Sequence, residues 1–202
     1  MKHKRLKIGI TGGIGTGKSL VSKLYRNKGY QVIEADKVAK EILGNDNNIK
    51  KQIINEFGTA SYIDGKPNTK YLADKVFSDP VKVERINSIL HPPTLRKIEA
   101  LMSMELTKNN IVFVEAALIF EAHMEYMFDY ILLLVSEDLL KIERIKQRSK
   151  ISEKEILLRM KNQLPDIIKK SKSDFIIENN STIDELTKKS EFFLHLFEKI
   201  CT

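Results

Sequence analysis

Gly12-Gly13-Ile14-Gly15-Thr16-Gly17-Lys18-Ser19 follows a glycine, after four residues, with Gly-Lys-Ser, the spacing of a phosphate-binding loop. Glycines let such a loop curl without Cβ clashes. Successive N–H groups then form an anion nest at a helix N-terminus. Lys18 adds a positive charge for β- and γ-phosphates, and Ser19 a hydroxyl for a magnesium ion. The flanks suit this reading. Leu6 to Thr11 is short and apolar enough for a buried strand, and Leu20 to Tyr25 has helical apolar spacing with Gly29 as a stop. The alternative, a Gly-rich turn that binds nothing, does not require strand, loop and helix in this order.

The chain has 202 residues, 42% hydrophobic and 30% charged, which predicts one domain with a full core. Its longest apolar run, Ile131 to Val135, suits a strand and is far short of a membrane span. The basic start, Met1-Lys2-His3-Lys4-Arg5, leaves no room for a signal peptide ahead of the first strand. With Cys201 as the single cysteine, no internal disulfide is available, and a cytoplasmic location is expected. A net charge of +7 suits either nucleic acid or a small polyanion. The lysines are dispersed, no arginine-rich helix or aromatic RNA-binding pattern is present, and the small polyanion is the expectation.

Further strands are expected at Gln31–Glu34, Asn110–Glu115, Tyr130–Val135 and Asp174–Glu178. Helices are expected at Glu137–Arg148, from Ser152 (an N-cap, with Glu155 three residues on) to about Asn162, and at Ile183–Lys199. Between the second and third strands, about 37 to 106 reads mostly helical. Ile49, Ile53, Ile54 and Phe57 recur at helical spacing, as do Leu72, Val76 and Phe77, then Ile86, Ile89 and Leu90, then Leu95, Ile98 and Leu101. Asp64-Gly65-Lys66-Pro67 marks a turn. This stretch is too long for a crossover helix and reads as an insertion. Near-continuous apolar strands alternating with helices predict an α/β fold, a five-stranded parallel sheet covered on both faces. Ligands in such sheets bind outside the carboxyl ends of the strands, so Gly12–Ser19, Asp36, Glu115 and Asn179 are expected at one edge.

At that edge the loop alone does not separate a motor, a switch, a pump and a kinase. An Asn-Lys-x-Asp base-reading motif is missing from Lys161-Asn162-Gln163 and Glu178-Asn179-Asn180, and the chain is short for a large ATPase; a small-molecule kinase fits. Asp36, after the second strand, can take a proton from an acceptor hydroxyl, or cap the helix that follows. Arg144 and Arg148, four apart, share a helix face. They can neutralise phosphoryl charge, or form a surface pair with Glu143 or Glu137. His91-Pro92-Pro93 is expected to end a helix and force an extended segment, and His91 is either a ligand contact or a packing residue.

In this light the chain resembles the bacterial dephospho-coenzyme A kinases across nearly its whole length. Matching segments are Thr11–Ser19, Val32-Ile33-Glu34-Ala35-Asp36, Leu72 to Phe77 with Asp79-Pro80, Leu90-His91-Pro92, Leu118-Ile119-Phe120-Glu121, Asp174 through Asn179, and Arg144, Arg148, Arg159 and Gln163 in step with the family's lid and following helix. The resemblance implies a P-loop kinase-like fold, a single domain over 4–201. Its core would be 4–36, 108–136 and 172–201, with a helical acceptor-binding insertion over 37–107 and a lid and following helix over 137–171. It implies transfer of the γ-phosphoryl of ATP, with Mg2+, to the ribose 3′-hydroxyl of 3′-dephospho-coenzyme A, the last step of coenzyme A synthesis. Lys18, Asp36 and Arg148 would be catalytic. Gly12, Gly13, Ile14, Gly15, Thr16, Gly17, Lys18, Ser19, Arg144 and Asn179 would bind the nucleotide, Ser19 also the metal, and Thr11, Asp36, His91 and Leu118 the acceptor. No nucleic-acid or membrane partner is implied, and a monomer or weak homo-oligomer is expected. The chain departs from the family pattern at Glu34 (Asp), Leu20 (Thr), Ala117 (Pro), Thr69 (Arg) and Ser181 (Gly). None of these removes a phosphate-site group.

Overall fold

The computed structural model describes residues 4–76, 79–149 and 151–202; Phe77 and the Met1-Lys2-His3 start lie outside them. The chain divides into two compact units, one formed by the chain up to Glu34 together with Leu101–Thr202, the other by Ala35–Ala100.

Among the described residues of the first unit, β1 (Leu6–Gly12), β2 (Val32–Glu34), β5 (Ile111–Glu115), β6 (Tyr130–Val135) and β7 (Phe175–Glu178) form one five-stranded sheet in the order β2-β5-β1-β6-β7. Every pairing is parallel. β1 is central, flanked by β5 (Leu6 opposite Ile111) and by β6 (Ile8 opposite Tyr130). The chain runs from β1 to β2 and β5 on one side and then crosses to β6 and β7 on the other, which opens a crevice beyond the carboxyl end of β1. The strands are apolar because both faces are covered: Leu6, Ile8, Ile10, Phe113, Leu132 and Leu134 are fully buried. On one face, α1 (Lys18–Asn27) and α9 (Ile183–Cys201) contribute Val21, Tyr25, Leu194 and Phe197 to the core. Tyr25 and Phe113 meet at 4.6 Å between ring centroids. The buried Tyr25 hydroxyl donates to Ser190 O at 3.0 Å, as a buried polar group requires. The remaining helices of this unit are α6 (Asp138–Arg148), α7 (Glu153–Lys161) and α8 (Asp166–Ser171). Ser152 caps α7, its hydroxyl accepting from Glu155 N at 3.3 Å.

The second unit holds α2 (Ala35–Asn45), α3 (Asn47–Phe57), a hairpin of β3 (Tyr62–Ile63) and β4 (Lys66–Pro67), α4 (Thr69–Val76) and most of α5 (Pro80–Glu105), as far as Ala100. Ile49, Ile53, Phe57, Leu72 and Val76, positions whose helical spacing is legible in the sequence, form its core together with Tyr62 of β3. One expectation fails. His91-Pro92-Pro93 does not end a helix, because α5 runs through both prolines. Two adjacent prolines remove only two rungs of the ladder, and their fixed φ is itself helical. The turns on either side hold the conformation, and the Thr94 hydroxyl bonds back to Leu90 O at 2.7 Å. No helix among the described residues is long and apolar enough to cross a membrane.

Candidate active site

The loop between β1 and α1 is shaped by what its glycines exclude. Gly12 has φ +149, and a Cβ there would lie 2.2 Å from Leu134 O. Gly17 starts α1 at φ +101, where a Cβ would lie 2.6 Å from Asn179 Nδ2. No side chain caps α1, so the first N–H groups of the helix remain for a ligand to satisfy. Inside the loop, Thr16 is fully buried and its hydroxyl donates to Gly13 O at 2.9 Å. The Lys18 ammonium donates to Gly12 O at 2.8 Å and Gly13 O at 3.1 Å.

Two strand ends tie into this loop. From β5, Glu115 accepts from the Ser19 hydroxyl at 3.3 Å. Beyond β7, the buried Asn179 donates from Nδ2 to Thr16 O at 2.9 Å. Thus Ser19, Glu115 and Asn179 meet at the carboxyl edge of the sheet, as the strand order demands. The Ser19 hydroxyl and the Glu115 carboxylate are hard oxygen donors, the type magnesium takes alongside water and phosphate oxygens. No cluster of three or more His, Cys, Asp or Glu fit to hold a metal unaided occurs among the described residues.

Arg144 is fixed by its surroundings. Its guanidinium donates to Ser136 Oγ and to Asn179 O, both at 3.0 Å, clamping the ends of β6 and β7 together. Neither Glu137 nor Glu143, the partners a surface pair would use, takes part in that clamp. Arg148, at the end of α6, is exposed and makes no hydrogen bond or ion pair among the described residues. Thr11 is fully buried, and its hydroxyl has no partner among the described residues. Its side chain therefore reaches the acceptor only if this packing opens. Leu118, after β5, is exposed.

The residues assigned to the acceptor in the second unit are Asp36 and His91. Asp36 is exposed inside the first turn of α2, just past the carboxyl end of β2, so it is a member of the helix and not the residue before it. His91 lies within α5, and burial holds its imidazole below the usual histidine range. Glu34, one of the departures from the family pattern, pairs with Arg26 at 2.5 Å.

Other groups near the loop carry no role assigned from the sequence. Lys141 of α6 is 5% exposed, with Asp138 Oδ1 at 2.7 Å and Asp166 Oδ2 at 3.1 Å. Burial lowers its pKa, but hydrogen bonds to the two carboxylates outweigh that and raise it. Gln163, after α7, accepts from Ile14 N at 3.0 Å. A cleft of about 460 Å³ opens beside the loop, lined by Gly13, Ile14, Lys141, Met160, Gln163 and Leu164 among others. Asp138 and Lys141 stand three apart on one helix, a signal visible in the sequence. Asp166 has no such signal, and Gln163 is marked in the sequence only by its place in step with the family's lid and following helix.

A five-stranded parallel sheet with a phosphate loop after its central strand, a serine and a carboxylate beside it and helices on both faces is the P-loop kinase class of fold. The dephospho-CoA kinase family model matches residues 6–185. The chain belongs to the dephospho-CoA kinase family. It is 35% identical over 188 residues to a dephospho-CoA kinase of Fusobacterium nucleatum, spanning 92% of this chain and 95% of that one. Among solved structures, TT1252 from Thermus thermophilus superposes with a TM-score of 0.81 at 29% identity, over 95% of this chain and 97% of that one. Dephospho-CoA kinase from Campylobacter jejuni gives a TM-score of 0.72 at 26% identity, over 96% and 97%.

Proposed function

We infer that this chain transfers the γ-phosphoryl group of ATP to the ribose 3′-hydroxyl of 3′-dephospho-coenzyme A, releasing ADP and coenzyme A in the last step of coenzyme A synthesis. Family membership supports the reaction. The observation that supports its location is the loop, with Lys18, Ser19 and Glu115 gathered at the carboxyl end of the central strand.

Phosphoryl transfer asks the protein for positioning and charge stabilisation more than for covalent work. The Ile14 N–H, expected among the phosphate donors, is taken by Gln163; the N–H groups from Gly15 to Ser19 and the Lys18 ammonium hold the β- and γ-phosphates. Lys18 exchanges its bonds to Gly12 O and Gly13 O for phosphate oxygens. Ser19, with Glu115 behind it, would hold magnesium, which would supply charge neutralisation for the phosphates. Asp36 orients the acceptor hydroxyl and takes its proton. Segment 137–171 acts as a lid that brings Arg148 to the transferring group and excludes water, a competing acceptor. Arg144 and Asn179 form the floor on which the nucleotide rests. His91, within the insertion 37–107, and Leu118, after β5, contact the acceptor. The protein acts in the cytoplasm as a monomer or weak homo-oligomer, with no nucleic-acid or membrane partner.

The test is ADP release measured with dephospho-coenzyme A, with nucleosides, with nucleoside monophosphates and with no acceptor. ADP release that depends on dephospho-coenzyme A, with coenzyme A as product, is expected. Release that prefers a nucleoside monophosphate, or needs no acceptor, overturns the assignment. The first outcome identifies a different small-molecule kinase, the second a nucleotide-dependent regulator.

A further inference from the structure

The Gly13–Ile14 peptide is held at both ends. Its carbonyl faces the interior of the loop, where Gly13 O accepts from Lys18 Nζ at 3.1 Å, from Thr16 Oγ1 at 2.9 Å and from Thr16 N at 3.3 Å. In a planar trans peptide, C=O and N–H point in opposite directions. The Ile14 N–H accordingly points out of the loop, and it donates to Gln163 Oε1 at 3.0 Å. Gly12, Gly13 and Gly15 surround this peptide, so side-chain sterics do little to fix its orientation. The hydrogen bond from outside supplies what the glycines lack.

The outer anchor is firmly based. Leu164 N, the next donor along the chain, bonds to Glu121 Oε1 at 2.8 Å. The same carboxylate oxygen lies 3.1 Å from the ammonium of Lys169, whose side chain is fully buried. Gln163 N bonds to Met160 O at 3.1 Å, closing the end of α7. Gln163 thus projects from a joint tied to the segment after β5, and not from a free surface loop.

We propose that Gln163 is a positioning residue for the phosphate loop. By accepting the Ile14 N–H it fixes the Gly13–Ile14 peptide with its carbonyl turned toward Lys18, and so sets where the ammonium stands when phosphates enter. This goes beyond the roles assigned above and rests on the kinase reading. It has a sharp chemical signature, because a backbone N–H needs an acceptor. A glutamate at 163 still accepts; a methionine of similar length does so only feebly through sulfur. A glutamine that instead donated to the γ-phosphate would fail as glutamate, through repulsion.

The experiment compares wild type, Gln163→Met and Gln163→Glu in two measurements. The first is steady-state turnover with ATP and dephospho-coenzyme A. The second is hydrogen exchange at the Ile14 amide without nucleotide, with thermal melts as a folding control. Gln163→Met is expected to lower kcat by roughly tenfold or more, since small misplacements of catalytic groups are costly. Its KM for ATP should move by less than about threefold, and its Ile14 exchange should speed up by about tenfold. Gln163→Glu is expected to recover most of the lost kcat and the Ile14 protection. Wild-type kcat and exchange in Gln163→Met overturn the proposal. So does a Gln163→Glu variant as slow as Gln163→Met, which would make the amide a donor. Should Gln163→Met not fold, an unprotected Ile14 amide in the wild type overturns it equally. An inactive wild type counts against the kinase reading alone, because the exchange comparison still decides the role of Gln163.

Discussion

Replacing Gly17 with alanine perturbs the loop where it meets Asn179, and the structure gives the cost in parts. Alanine held at φ +101 loses about 1–2 kcal/mol to backbone strain. The new Cβ would lie 2.6 Å from Asn179 Nδ2 and 3.2 Å from Leu186 Cδ2. Relief requires the amide to withdraw by roughly 1 Å to reach ordinary contact. That breaks its bond to Thr16 O, 2.9 Å long and buried, at about 1–3 kcal/mol. Gly17→Ala should therefore destabilise by about 2–5 kcal/mol. Asn179→Ala loses the same bond alone, about 1–3 kcal/mol. In the double variant the clash is gone and the bond is lost once, so the pair should cost about 1–3 kcal/mol less than the sum of the singles. Urea unfolding of the four proteins, compared at constant m-value, measures this. Additivity within about 0.5 kcal/mol would show that the amide and the loop glycine do not share one space, and would refute the reasoning.

Lys18→Ala should lower turnover by at least about two orders of magnitude, and a variant with near-normal steady-state turnover would remove the ammonium from the mechanism. Asp36→Asn should lose turnover to a similar extent while ATP binding, measured by calorimetry, stays within a few-fold; a collapse of ATP affinity would assign Asp36 to the metal or the fold. His91 carries a pH prediction. Burial lowers its folded pKa below the unfolded value of 6.5, so the unfolded chain takes up the proton first as pH falls. Stability is therefore lost through and below that value until the folded state is protonated too. The fall in melting temperature between about pH 7.5 and pH 5 should be smaller in His91→Gln than in wild type, and an equal fall refutes the linkage.

The strands of the sheet were legible to within a residue, because strands buried on both faces leave apolar runs bounded by polar turns. β1 was expected over Leu6–Thr11 and is seen over Leu6–Gly12; Tyr130–Val135 is seen as expected. The Ser152 cap was legible for a different reason, since its partner Glu155 is only three residues on. α5 was misread at His91-Pro92-Pro93 because local proline rules ignore the helix on either side. β3 and β4, two residues each, are too short to leave a period, and α8 hides in a lysine-rich stretch. At the site, the loop itself was legible. The contacts that hold it were less so: Gln163 reaches Ile14 across 149 positions and Asn179 reaches Thr16 across 163. Periodicity carries no information at such separations; only the strand order brings these residues together.

That strand order also governs when a newborn chain can first grip a nucleotide. β1 finds no partner until Ile111–Glu115 and Tyr130–Val135 exist. At about 5–20 residues per second of synthesis, the first strand and its glycines wait roughly 5–25 s as an exposed apolar segment. The loop is thus made well before the strands that shape it, and the nascent chain passes through an interval in which chaperone shelter matters more than ligand.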